Sequence, residues 1–329
     1  MKPQKLTTNE LLQRIYNSDL LGLSKGITLI ESTLEKDRLQ AEELLNNLLP
    51  KTGKSIRIGI TGVPGVGKST FIEAFGEYLI KEKQKRVAVL AIDPSSQQTK
   101  GSILGDKTRM EKLAANPMAF IRPSPSGKSL GGVANKTRET LLLCEAAGYD
   151  VTIIETVGVG QSETAVKGMT DFFLLLMLSG AGDELQGIKR GIMEMADLLA
   201  INKADGDNIK KANLAKAAYK NALHLLPPHE FGWTPETTTC SSLTGDGIEA
   251  IWKTIESYYD KLEQNDGLIK IREKQQKEWL KETLQSRLLE DFLDHSEVRK
   301  RLPVLENQVI AGKIIPSTAT RELIKLVLS

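Results

Sequence analysis

The residues Gly62-Val63-Pro64-Gly65-Val66-Gly67-Lys68-Ser69-Thr70 carry the spacing G-x-x-x-x-G-K-[ST]. Glycines at these positions let the backbone bend so that successive N–H groups converge on an anion. A lysine placed as Lys68 is can reach the β- and γ-phosphates of a nucleotide, and a hydroxyl placed as Ser69 is can bind Mg²⁺. The β-branched run 56–61 leads into this loop, and Phe71, Ile72, Phe75, Tyr78 and Leu79 recur behind it at helical spacing. Strand, glycine loop and helix form a phosphate cradle, and the helix N-terminus adds partial positive charge.

A second cluster selects the base. Asn202-Lys203-Ala204-Asp205 follows the apolar run 198–201. A carboxylate at Asp205 can accept both the N1–H and the exocyclic amino group of guanine, a donor pair that adenine does not offer. The Lys203 stem can lie along the base plane. Cys240-Ser241-Ser242-Leu243 closes a later run, where a backbone N–H can meet guanine O6. Buried polar groups left unpaired reject the wrong base, so these residues predict GTP/GDP rather than adenine nucleotides.

Between the two clusters lies Glu155-Thr-Val-Gly158, after another apolar run. A carboxylate at a strand end, with glycine three residues on, suits the Mg²⁺ shell and γ-phosphate sensing. Asp93, at the end of run 87–92, can also reach that shell, or can serve as a turn former before Pro94. The position directly after the glycine, where a glutamine orients the attacking water in Ras-like chains, is Val159. Gln161 and Glu163 lie just beyond and could substitute if the loop bends back. Slow intrinsic hydrolysis is the expectation.

The elements that position these groups alternate. Mostly apolar runs at 87–92, 119–122, 151–155, 172–178 and 198–201, and the threonine run that ends in Cys240 at 237–240, read as strands separated by helical patterns. Near-continuous apolar strands are buried on both faces, which predicts an α/β fold with a doubly wound, mostly parallel sheet. Ligands then bind beyond the strand C-termini, where every motif above falls. The domain reading is an N-terminal helical extension at 1–54, a nucleotide-binding domain at 55–258 and a C-terminal helical arm at 259–329. In the first, Leu11, Leu12, Ile15 and Tyr16 form one stripe. Ser24 is the expected N-cap of a second helix carrying Ile27, Ile30 and Leu34, and Ala41, Leu44, Leu45 and Leu48 form a third stripe ended by Pro50. In the last, Leu280, Leu284, Leu288 and Phe292 repeat at helical spacing, as do Ala319, Leu323, Leu326 and Val327.

With 44 basic and 42 acidic residues, the formal net charge of +2 supplies no electrostatic reason to invoke nucleic acid. The most apolar run, 172–178, is far shorter than the ~20 residues of a membrane span. The first residues carry neither an apolar secretory core nor an Arg- and Ser-rich transit pattern. Two distant cysteines, Cys144 and Cys240, make no disulfide framework. A cytoplasmic protein with no nucleic-acid or membrane partner is expected. A metal-delivery GTPase would want soft or imidazole ligands, and His224, His229 and His295 form no such cluster in sequence.

Beyond the generic loop, longer stretches resemble one family, the methylmalonyl-CoA mutase-associated GTPases of the MeaB/ArgK type. They are Asp93-Pro-Ser-Ser, Gly101-Ser-Ile-Leu-Gly-Asp106-Lys-Thr-Arg109-Met, Arg122-Pro-Ser-Pro, Leu130-Gly-Gly-Val, Glu155-Thr-Val-Gly-Val-Gly-Gln161-Ser-Glu, and Gly182-Asp183-Glu-Leu-Gln-Gly-Ile-Lys189. The stretches around Asp106–Arg109 and Asp183–Lys189 single the family out; Ser126-Gly-Lys-Ser129 departs from its pattern. The resemblance implies a GTPase chaperone of an adenosylcobalamin-dependent acyl-CoA mutase and a homodimer held by C-terminal helices. It implies three switch loops, with Asp93 and Asp106 in the first, 155–163 in the second and Asp183 to Lys189 in the third. Ser69, Asp93, Asp106 and Glu155 are then the expected metal partners. Lys68, Glu155, Gln161, Arg109, Asp183 and Lys189 are the expected catalytic set, with Arg109 and Lys189 as cations for the γ-phosphate. An older description of the family as an amino-acid-transport kinase would make the substrate a periplasmic transport protein, for which no motif here is specific.

Overall fold

The computed structural model describes residues 6–92, 110–125, 130–156, 162–180, 190–227 and 229–328. The chain divides into two compact units, Met1–Gln275 and Gln276–Ser329.

The first unit is built on seven strands: β1 (Ile56–Gly62), β2 (Val87–Ile92), β3 (Ala119–Arg122), β4 (Val151–Thr156), β5 (Phe172–Leu178), β6 (Leu198–Asn202) and β7 (Glu236–Thr239). Their order in the sheet is β3-β2-β4-β1-β5-β6-β7. Every pairing is parallel. β2 and β4 are buried along their whole length, as strands covered by helices on both faces must be. The doubly wound sheet expected from the apolar runs is therefore present. Several ends differ by a residue: β1, β4 and β6 each run one residue further, to Gly62, Thr156 and Asn202, and the last strand is a half-buried Glu-Thr-Thr-Thr run that starts at Glu236 and stops before Cys240.

Helix α4 (Lys68–Lys83) and helix α10 (Ile248–Glu263) cover one face. Phe71, Phe75 and Trp252 meet there in the main core with Ile58, Ile60, Ile153 and Leu174. The helices between them in sequence are α5 (Glu111–Ala114), α6 (Leu130–Ala146), α7 (Ser162–Lys167), α8 (Arg190–Met195) and α9 (Ile209–Leu223). Three N-terminal helices, α1 (Thr8–Tyr16), α2 (Leu20–Glu31) and α3 (Glu35–Leu48), pack on α6. A Cβ on Gly26 would come within 2.8 Å of the Leu143 side chain, so glycine permits this close approach.

The cap of α2 differs from the sequence reading. Asp19 caps it, its carboxylate accepting from Leu21 N at 3.0 Å, and Ser24 lies inside the helix. The helix also ends at Glu31, before Leu34, which stands exposed as the N-cap residue of α3. An aspartate ahead of Leu-Leu-Gly-Leu offers a cap five residues earlier than Ser24, and the longer helix buries Leu23 and Ile27 together.

Helix α11 (Gly267–Asp294) begins in the first unit. There Arg272 holds the buried Asp171 with two hydrogen bonds, at 2.9 and 2.7 Å, and donates to Ser55 O at 2.8 Å. Tyr259 OH adds a third bond to Asp171, at 2.7 Å. In the second unit α12 (Ser296–Ile310) and α13 (Pro316–Leu328) pack through Val298, Leu305, Ala319 and Leu323. Leu280, Leu284 and Leu288 of α11 are exposed.

Candidate nucleotide-binding site

The C-terminal tips of β1, β4 and β6 bring the motifs to one end of the sheet. Gly62 ends β1 pressed against β5; an added Cβ would lie 2.5 Å from Leu176 O. Gly67 adopts φ 87°, left-handed backbone that favours glycine, and caps the start of α4. Between them Val66 is buried and anchors the loop in the core, while Pro64 and Gly65 are exposed. Lys68 Nζ donates to Gly62 O at 3.2 Å, curling over its own loop. Burial lowers the Lys68 pKa, opposed by the nearby carboxylates of Glu155 and Glu163. Both carboxylates are buried. Glu163, at the start of α7, thus joins Glu155 in the field of Lys68. In sequence it reads as a nearby substitute for the missing glutamine and as the last residue of the second switch stretch. Ser69 and Thr70 follow in the first turn of α4.

The guanine motif is already lashed to the phosphate loop. Asn202 Nδ2 donates to Val66 O at 2.9 Å, and its Oδ1 accepts from Ser242 N at 3.1 Å and Ser242 Oγ at 2.8 Å. Lys203 sits at φ 59° and donates to Gly65 O at 2.8 Å, stretching its aliphatic stem across the site. Asp205 Oδ2 accepts from Ser241 Oγ at 2.5 Å. The Ser241 hydroxyl also accepts from Leu243 N and Thr244 N, at 3.3 and 3.2 Å, which shapes the Ser-Ser-Leu turn. Leu243 is 82% exposed, an apolar side chain held out beside the motif. Asn208, which sequence reading missed, donates to Lys203 O at 2.6 Å and accepts from Ser179 Oγ at 2.6 Å. An asparagine six residues past a strand end reads as loop chemistry, so only the fold shows that it braces Lys203.

Gly62 to Thr70, Asn202, Lys203, Asp205, Ser241, Ser242, Leu243 and Glu155 are thus brought to one end of the sheet. Asp93, Asp106, Arg109, Gln161, Asp183 and Lys189 lie outside the described residues, as does Val159. Ser69 and Glu155 offer hard oxygen donors at adjacent strand and helix ends, a donor set that suits Mg²⁺ rather than a softer ion. Among the described residues no group of three or more His, Cys, Asp or Glu could hold a metal by itself. A protein site of this kind fits a metal that takes the rest of its shell from water and phosphate. Both cysteines are buried, and burial raises the Cys240 thiol to about 12, so neither is a nucleophile.

A parallel sheet with a glycine phosphate loop after its central strand, and N-K-x-D after β6, defines a P-loop guanine-nucleotide hydrolase. Similarity to known proteins narrows this further. Residues 23–297 match the family described as Methylmalonyl Co-A mutase-associated GTPase MeaB, and the chain belongs to that family. It is 44% identical over 321 residues to GTPase ArgK of Escherichia coli, covering 96% of each chain. It is 43% identical over 328 residues to the mouse mitochondrial methylmalonic aciduria type A homolog, covering 95% of this chain and 79% of that one. A crystal structure described as LAO/AO transport system kinase superposes over all of both chains with TM-score 0.77 and 37% identity. The protein is a GTPase. Among the described residues no helix is long and apolar enough to cross a membrane.

Proposed function

We propose that this GTPase is a chaperone of an adenosylcobalamin-dependent acyl-CoA mutase, methylmalonyl-CoA mutase being the first candidate, and that GTP hydrolysis gates cofactor loading and protects the mutase. The observation that carries the reading is the match of residues 23–297 to a family named for its association with that mutase. In support, the converging groups at the strand tips are nucleotide machinery: phosphate loop, base motif and Glu155. In this reading Lys68 and the loop amides hold the β- and γ-phosphates, and Asp205 and the Ser242 region read guanine. Ser69 and Glu155 hold Mg²⁺ with Asp93 and Asp106. Lys189, Arg109, Asp183 and Gln161 complete the hydrolytic set. The exposed leucines of α11 support a homodimer made through the C-terminal arm, and the buried, unbridged cysteines fit a cytoplasmic setting.

The test is the protein mixed with purified methylmalonyl-CoA mutase on a sizing column, with GTP turnover measured beside it. Co-elution and faster hydrolysis are expected. Separate elution with unchanged turnover would remove this mutase as the client.

A further inference from the structure

The C-terminal tips of β1 and β4 are joined by side chains. Their backbone register runs from Ile56↔Val151 to Ile60↔Glu155. At the next position each strand pairs outward, Thr61 with Leu175 of β5 and Thr156 with Ile92 of β2. What spans the gap between the two tips is a side-chain bond, Thr61 Oγ1 to Thr156 Oγ1 at 2.8 Å. Both residues are buried, at 2% and 0% exposure. Thr61 immediately precedes Gly62 of the phosphate loop, and Thr156 immediately follows Glu155.

Strand alternation puts the pair behind the site. Glu155 shares a face with Ile58 and Ile60, the face covered by α4 and its Lys68. Thr61 and Thr156 share the other face with Gly59, where an added Cβ would meet Val166 of α7. The hydroxyls therefore lie on the sheet face opposite the Glu155 carboxylate. They fix the spacing between the strand that carries the phosphate loop and the strand that carries Glu155.

We propose that the Thr61–Thr156 hydroxyl pair is a positioning latch for GTP hydrolysis, holding Glu155 in register with the phosphate loop. Sub-ångström displacement of a catalytic group costs rate far more readily than it costs binding. Nucleotide affinity depends on the loop amides and on the Asn202 and Lys203 tethers, which the latch does not touch. Loss of the latch therefore lowers the hydrolytic step and spares binding. The proposal rests on the placement of Glu155 in the metal shell, and Glu155→Gln tests that placement separately.

The experiment is single-turnover hydrolysis of Mg²⁺–GTP, with GTP and GDP affinities by calorimetry, for Thr61→Val, Thr156→Val, the double variant and Thr156→Ser. Valine keeps the shape and deletes the hydroxyl. Each valine variant is expected to hydrolyse about tenfold more slowly, ~1.4 kcal/mol of barrier, with affinities within about twofold of the parent. The double variant should be no slower than either single one, because both delete the same bond. Thr156→Ser, which keeps the hydroxyl, should be near the parental rate. Parental rates in the valine variants, with or without a lower melting temperature, overturn the latch and leave the pair a purely structural contact. Additive losses, or a serine variant as slow as valine, overturn it as well. If Glu155→Gln hydrolyses normally, the metal-shell reading fails. If only Glu155→Gln is slow, the latch fails alone.

Discussion

Replacement of Asn202 by alanine tests whether the two halves of the nucleotide site are built as one. The side chain makes four hydrogen bonds, donating to Val66 O and accepting from the Ser242 amide, the Ser242 hydroxyl and, at 3.7 Å, the Cys240 thiol. Asn202 itself is 1% exposed, so water does not readily replace these partners. A typical hydrogen bond contributes about 1 kcal/mol net, and a buried group left unsatisfied costs about 1–3 kcal/mol. The Ser242 hydroxyl can turn elsewhere, but the Val66 carbonyl and the Ser242 amide cannot. The expected loss is therefore about 2–4 kcal/mol, part in stability and part in nucleotide affinity. Half of it expressed in affinity weakens GDP binding by roughly five- to thirtyfold. Urea unfolding of the nucleotide-free protein reads the first share, and calorimetric titration with GDP reads the second. Asn202→Asp sharpens the test. It keeps an acceptor for Ser242 but sets a carboxylate against the Val66 carbonyl, so it should be worse than alanine. An alanine variant with parental unfolding and parental GDP affinity would refute the coupling, as would an aspartate variant better than alanine.

Three further expectations follow from the same site. Asp205→Asn should weaken GTP binding sharply, and it should improve binding of xanthosine triphosphate, whose 2-oxo group can accept from the new amide; equal GTP affinity in both proteins would refute the base assignment. Because burial holds the Lys68 pKa below that of an ordinary lysine, the free protein begins to lose that proton at lower pH than it would from an exposed lysine. The triphosphate's charge should raise it again, so GTP binding should take up protons in the alkaline window between the two values; calorimetry in buffers of different ionisation enthalpy would show it, and proton release would contradict it. Lys189→Ala should lose acceleration of GTP turnover by the mutase while leaving GTP affinity nearly intact; equal stimulation of parent and variant would exclude the role given to Lys189.

Much of this architecture was legible because its signals are local. A strand buried on both faces, such as Phe172–Leu178, must be apolar throughout, and a run of that kind bounded by polar residues gives its own ends to within a residue or two. The phosphate loop and N-K-x-D are contiguous spellings of contiguous chemistry. Helix α2 shows the limit of even local signals. Ser24 and Asp19 are both acceptable caps by type, and burial of Leu23 rather than propensity separates them.

The groups whose placement escaped reading act across the chain. Glu163 reads as a stand-in for the missing glutamine until the fold carries it into the field of Lys68. Asn208 braces Lys203 only because a turn returns it to the end of β6. Thr61 and Thr156 are ordinary strand formers by sequence, 95 residues apart, and β-branching alone explains both. Their hydroxyls acquire meaning from the register of β1 on β4, from the rung at which backbone pairing stops, and from the parity that turns Glu155 toward Lys68 and Thr156 away. A one-residue slip in either strand would exchange those faces, burying the carboxylate behind the sheet and sending the hydroxyl to the site. The chemistry of this site is thus named by motifs, but its geometry is set by a strand register that no motif spells.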